Sequence, residues 1–167
     1  MGSELNKSAK LDRIDLNILA ELQRNGRITN AALADAVGLS QSPCLQRVKR
    51  LEASGYIIGY GAVLDIGRLA DVITVFTEVT LSDHRRDDFS RFELSIAKIP
   101  EVVECHLISG GYDYLLKFVA RGVSDYQSIV ERLLDQKIGI EKYFSYIVIK
   151  SPVAGRPAPI DRLVADR

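Results

Sequence analysis

The chain has 167 residues, 47% of them hydrophobic, enough to bury either one generous core or two small ones. Its 22 basic and 22 acidic residues cancel, which excludes the global positive field of a histone-like protein and confines any nucleic-acid contact to a local patch. Two cysteines far apart, Cys44 and Cys105, exclude a disulfide framework and a zinc site, and the longest apolar stretch, around Tyr56 to Leu64, is interrupted by glycines and falls short of the roughly 20 residues of a membrane helix. The polar opening, Met1 to Lys10, carries no signal-peptide pattern, so a reducing cytoplasmic setting is expected.

From Asp12 to Gln23, Ile14, Ile18, Leu19 and Leu22 recur at helical spacing, with Asp12 as cap and Asp15 as a second first-turn carboxylate. Asn25-Gly26 stops this helix. Thr29 caps a short alanine-rich helix ended by Gly38, and Ser40 is expected to cap the next. In that third helix Pro43 is tolerated in the first turn, Cys44, Leu45, Val48 and Leu51 form the inward stripe, and Gly55 ends it. Two helices joined by Gly38-Leu39-Ser40, with small Ala34 where backbones approach, make a helix-turn-helix. Tyr56 to Tyr60 is expected to be a short strand or wing, closing a domain over residues 1–60, and residues 61–71 a linker strand.

The periodicity changes at Val72. Ile73, Val75, Thr77, Val79 and Leu81 alternate onto one face of a strand, and Phe89, Phe92, Ile96 and Ile99 return at helical spacing before Pro100. Strands over Glu101–Ser109 and Asp113–Arg121 flank the turn Gly110-Gly111. Ser124 is expected to cap a helix with Tyr126, Ile129, Val130, Leu133 and Leu134 inward, and a strand over Ile140–Lys150 closes the domain. The order β-α-β-β-α-β predicts a ferredoxin-like domain over residues 72–152, so the fold class is α+β. Both helices then cover one sheet face. The other face, expected to carry Phe76, Tyr114 and Phe144, is too apolar for water and calls for self-association. Residues 153–167, with Pro157 and Pro159, are expected to be an irregular tail.

The outward positions of the third helix are Ser40, Gln41, Ser42, Gln46, Arg47, Lys49 and Arg50. Gln, Ser and Arg can bond base edges in the major groove, and Lys and Arg can neutralise phosphates. A lone basic helix is more often a solvated face; the capped helix and glycine turn before it favour DNA. Gly110-Gly111-Tyr112-Asp113-Tyr114 reads on pattern as a hairpin turn, yet bare backbone donors beside one carboxylate also suit an amino acid's charged ends. Catalysis has little support: Cys105 and His106 are strand neighbours facing opposite ways, His84 is isolated, and no phosphate loop or metal-ligand spacing occurs, so no cofactor and no metal are expected.

Leu11-Asp12-Arg13-Ile14-Asp15, Asn25-Gly26-Arg27-Ile28-Thr29-Asn30, Val37-Gly38-Leu39-Ser40 with Pro43-Cys44-Leu45, and Arg47-Val48-Lys49-Arg50-Leu51-Glu52 closely resemble the Lrp/AsnC, or feast/famine, family of regulators, particularly its leucine-responsive branch. Glu104-Cys105-His106-Leu107-Ile108-Ser109-Gly110, Tyr112 to Lys117 and Tyr146-Ile147-Val148 resemble its effector-sensing domain, so the likeness runs collinearly from about Lys10 to Lys150. The resemblance implies a winged helix-turn-helix that binds double-stranded DNA, a RAM-type sensing domain, dimers assembling into rings, commonly octamers, and no membrane association. It implies an amino-acid effector lying between dimers near the hairpin, with Leu107, Gly110, Asp113, Tyr146 and Val148 as its contacts. Gly111 departs from the pattern, standing where relatives often carry an acid. Two other functions fit the same architecture: a ligand-insensitive protein that bends or wraps DNA, and an enzyme similar to the sirohaem decarboxylases, which two histidines and an intact basic helix disfavour.

Overall fold

A computed structural model describes residues 11–164; the polar opening, Met1 to Lys10, and the last three tail residues lie outside the described residues. The chain divides into two compact units, residues 1–63 together with 153–167, and residues 64–152.

The first unit contains helices α1 (Arg13–Arg24), α2 (Asn30–Ala36) and α3 (Gln41–Ala53). The aspartate pair opens α1 as a reciprocal capping box: the Asp15 N–H donates to the Asp12 carboxylate at 2.8 Å, and the Asp12 N–H donates to Asp15 at 3.1 Å. Thr29 caps α2 through the Ala32 N–H at 3.2 Å. Gly38, at φ 70°, takes the left-handed conformation that lets α3 start three residues later. Ser40 occupies the cap position of α3, but its hydroxyl makes no capping bond and stays exposed. Ile18, Leu33, Ala34, Cys44 and Leu51 form the buried core, with Ile14, Leu19, Leu22, Val48 and Tyr56 packed around it.

Beyond α3 three expectations are corrected. Tyr56–Tyr60 and residues 61–71 form no strand; a single 3-10 turn, Ile66–Arg68, interrupts the linker. An extended segment with no neighbour to accept its ladder bonds gains nothing from strand geometry, and Ile58 and Val63 stand 98% and 96% exposed. The tail is not wholly irregular: Ile160–Leu163 forms a short helix, α6, within the first unit. Ile160 lines an apolar cavity of about 240 Å³ with Leu19, Leu22, Tyr56 and Ile57. In its hydrogen-bond-satisfying orientation the Gln23 amide donates to Ala158 O at 3.0 Å and accepts from Ala158 N at 3.3 Å.

The second unit is a four-stranded antiparallel sheet, β1 (Ile73–Leu81), β2 (Val102–Leu107), β3 (Tyr114–Ala120) and β4 (Ile140–Ile147), in the order β2-β3-β1-β4, with α4 (Arg86–Ile96) and α5 (Val123–Asp135) as its helices. This is the ferredoxin-like order. On β1, Val75, Thr77, Val79 and Leu81 are buried in alternation, and on β3 so are Tyr114, Leu116, Phe118 and Ala120. Phe92 and Ile96 of α4 and Tyr126, Ile129, Val130 and Leu133 of α5 complete the core. Tyr114 is therefore on the helix-covered face, not the open one: β3 pairs it with Val79, and its ring lies 4.5 Å from that of Phe92. Leu134 is 38% exposed because it falls just outside the inward stripe of α5. Gly122 rather than Ser124 holds the α5 cap position, and the Asp125 carboxylate accepts from the Arg121 N–H at 2.9 Å.

Candidate DNA-binding surface and effector site

On α3 the buried stripe of Cys44 and Leu51 sets which way the other side chains face. Ser42, Gln46 and Lys49, spaced by three and four, form an exposed ridge opposite it, with Gln41 and Ser40 exposed at the helix start. Asn30 Nδ2 of α2 donates to Gln41 O at 2.9 Å and ties the two helices at that point. Among the described residues no ion pair engages Lys49.

Arg47 and Arg50 both have partners inside the helical unit. Arg47 Nη1 lies 2.7 Å from Asp12 Oδ2 and 2.8 Å from Asp15 Oδ1, and Arg50 Nη2 lies 2.5 Å from Asp15 Oδ2. Asp15 is completely buried. A carboxylate out of water needs partners that satisfy its oxygens, and the two guanidinium groups together with the Asp12 N–H supply them. The Asp12 carboxyl is held below its ordinary range, first by the Asp15 N–H and then by Arg47, and Arg47 is held above its own. Both arginines thus clamp α3 to the start of α1. The i,i+3 aspartates carried the signal, but spacing alone makes them only caps; a partner more than thirty residues away appears only with the fold.

The effector candidates fall into two separate groups. Leu107 ends the edge strand β2, paired with Tyr114, and is 60% exposed; Gly110 is exposed in the following turn. Neither Gly110 nor Gly111 takes a positive φ, and a Cβ at either would meet open space, so this turn does not require glycine. Asp113 already has partners: its carboxylate accepts from the Leu81 N–H at 2.7 Å and lies 3.0 Å from His84 Nε2. His84 comes from the β1–α4 connection, which no local pattern links to the hairpin. Tyr146, paired with Phe76, and Val148, whose N–H donates to Thr74 O, sit at the far end of the opposite edge strand. Three strand spacings and three residues of rise put Leu107 and Tyr146 roughly 17 Å apart. Register also places them on opposite faces, Leu107 with buried Tyr114 and Tyr146 with Phe76.

The open face carries Phe76, Glu78, Leu115, Lys117, Phe144 and Tyr146, with Phe144 and Tyr146 57% and 51% exposed. Lys117 Nζ lies 2.7 Å from Glu104 Oε1, which holds the Glu104 carboxyl below its usual value. Cys105 faces the helix side opposite Leu116 and His106 the open side opposite Leu115, so the two share no site.

A capped helix-turn-helix followed by a ferredoxin-like sheet domain defines the class of two-domain DNA-binding regulators. The sequence profile of winged helix-turn-helix DNA-binding domains matches residues 11–58, and that of the Lrp/AsnC ligand binding domain matches residues 74–158. The transcriptional regulatory protein DoeX of Halomonas elongata is 47% identical over 142 residues, covering 85% of this chain and 90% of that protein. The leucine-responsive regulatory protein of Escherichia coli K12 is 44% identical over 150 residues, covering 90% and 92%. Among solved structures, a Neisseria meningitidis transcriptional regulator in complex with L-methionine superposes with a TM-score of 0.85 at 33% identity, covering 93% of this chain and all of that one. An AsnC family regulator of Agrobacterium tumefaciens gives 0.85 at 32% identity, covering 92% and 100%. The chain belongs to the Lrp/AsnC family, and it is a transcriptional regulator with a DNA-binding domain and a ligand-binding domain.

Proposed function

We propose that the first unit docks α3 in the major groove of duplex DNA with Gln41, Ser42 and Gln46 toward base edges and Ser40 and Lys49 toward phosphates. The observation that carries this is the exposed ridge opposite the buried Cys44–Leu51 stripe. The effector is an amino acid. The support is the open hairpin turn with its Asp113 carboxylate, together with the L-methionine complex of a similar regulator. Leu107, Gly110 and Asp113 form one half of the site. Tyr146 and Val148, on the opposite edge, can join it only when a second copy brings its own β4 to this hairpin.

Apolar Phe144 and Phe76 on the open face support a dimer through the sheet, and further assembly of dimers, up to octamers, would supply the second half of the effector site. The regulator works in the cytoplasm, where its DNA target lies; among the described residues no helix is long and apolar enough to cross a membrane. An effector that binds one assembly state better than another shifts the population competent for DNA.

Titrating each of the twenty amino acids while following duplex affinity and melting temperature tests both halves of this reading. A native-state ligand is expected to raise the melting temperature and change the affinity. DNA affinity insensitive to every amino acid would leave an architectural DNA binder, and no duplex affinity at low salt would end the reading altogether.

A further inference from the structure

The geometry points to Asp15 as a positioning residue for DNA recognition: its buried carboxylate fixes the roll of α3 and withholds the guanidinium groups of Arg47 and Arg50 from DNA phosphates. The inference rests on the proposed docking of α3 and assigns which of its cations reach the nucleic acid.

Three observations carry it. Asp15 is fully buried while both of its arginine partners keep some exposure, 26% for the Arg47 side chain and 47% for Arg50. The carboxylate is therefore the fixed point and the guanidinium groups come to it. Second, the contacts use both carboxylate oxygens, Oδ1 to Arg47 and Oδ2 to Arg50, and Arg47 is also held by Asp12 Oδ2. Third, Arg47 and Arg50 stand three residues apart on one flank of α3, between the buried Cys44–Leu51 stripe and the exposed Ser42–Gln46–Lys49 ridge.

Apolar packing of Cys44 and Leu51 sets how close α3 lies to the core, but a helix resting on a narrow apolar stripe can still rock about its axis. One guanidinium nitrogen from each arginine, held on the two oxygens of one buried carboxylate, restrains that freedom, because charge-assisted hydrogen bonds are directional. The roll decides whether Gln46 and Lys49 face a base edge or a backbone. Asp15 stands in for phosphate toward the arginines. Releasing them would add charge-driven affinity that ignores sequence.

The experiment follows full-length protein binding to a random-sequence duplex and to one selected by the unaltered protein, over about 50 to 200 mM salt, where each phosphate contact contributes about 0.9 to the slope of log affinity against log salt. Lys49→Gln calibrates the loss of one contact. Arg47→Gln and Arg50→Gln are expected to leave the slope unchanged, whereas Asp15→Asn steepens it and lowers the preference for the selected duplex by about tenfold or more. If Asp15→Asn or Arg47→Gln does not fold, judged by circular dichroism, Arg50→Gln carries the decision, since its guanidinium is half exposed. A slope that flattens in Arg50→Gln or Arg47→Gln as much as in Lys49→Gln overturns the assignment. An unaltered protein without duplex affinity at low salt overturns the docking of α3, and this assignment with it.

Discussion

The two units solve the problem of stability differently. The sheet unit buries fourteen side chains in one apolar cluster, including Phe92, Tyr114 and Phe118, whereas the helical unit buries five, the largest being Ile18 and Leu51. Burial contributes about 25 cal/mol per Å² of apolar surface, so the smaller cluster leaves more for other interactions to hold. The helical unit adds the Asp12–Asp15–Arg47–Arg50 cluster and the returning tail at Ile160; the sheet unit instead has apolar surface left over, on its open face. Directional polar contacts suit the proposed aiming of one helix. A surplus of exposed apolar area suits the proposed meeting of two copies.

Phe92→Ala should break the contrast at its apolar end, costing the sheet unit about 3–5 kcal/mol, because its ring is fully buried against Tyr114 and its removal leaves a cavity in the core. Chemical denaturation is expected to show this unit melting first, with the helical signal persisting. Asp15→Ala should destabilise the helical unit by about 3 kcal/mol, since it removes the buried centre of the cluster and leaves Arg47 and Arg50 to find water; an unchanged melting temperature would mean the five-residue core suffices. Phe144→Asp should leave the folded sheet intact and lower the solution mass by disrupting the proposed sheet-to-sheet dimer, as light scattering would register. Ile160→Asp should cost about 1 kcal/mol by undocking α6 from Leu19 and Leu22, visible as a lower melting temperature confined to the helical unit.

The smallest effect is with pH. The Asp12 carboxyl, depressed from 3.8 chiefly by the Asp15 N–H, and the Glu104 carboxyl, depressed from 4.5 chiefly by Lys117, both stabilise the folded chain above those ordinary values. That contribution disappears as pH falls through the lowered folded-state values. Asp12→Asn should flatten the acid side of the helical unit's stability curve, and Glu104→Gln that of the sheet unit, each by a few tenths of a kcal/mol at most because both groups are largely exposed.

Much of this was legible in the residues themselves. Period-two alternation in β1 and period-3.6 spacing in α1, α3, α4 and α5 report which face is buried, because burial acts on each element through its own geometry; the exception on α3 is Leu45, expected inward but 43% exposed, about 100° around the helix from Cys44. Caps with short-range partners, Asp12 and Thr29, are equally local. Other features depend on partners distant in the chain. Tyr114 turned inward because its register with Val79 left no choice, and Arg47 and Arg50 pair with Asp15 on another helix. His84 met Asp113 across 29 residues, and the tail acquired a helix only where Leu19 and Leu22 offered an apolar seat.

The type of the five main helices and four strands, their order and the family could therefore be read along the chain, since each depends on patterns a few residues long repeated in a collinear order. Which cations pair within the helical unit, and whether Leu107 and Tyr146 can meet within one chain, were decided by the tertiary structure alone. The reason is physical: an ion pair or a shared pocket depends on distances of a few ångströms, and those exist only after the helices have packed and the strands have chosen their register.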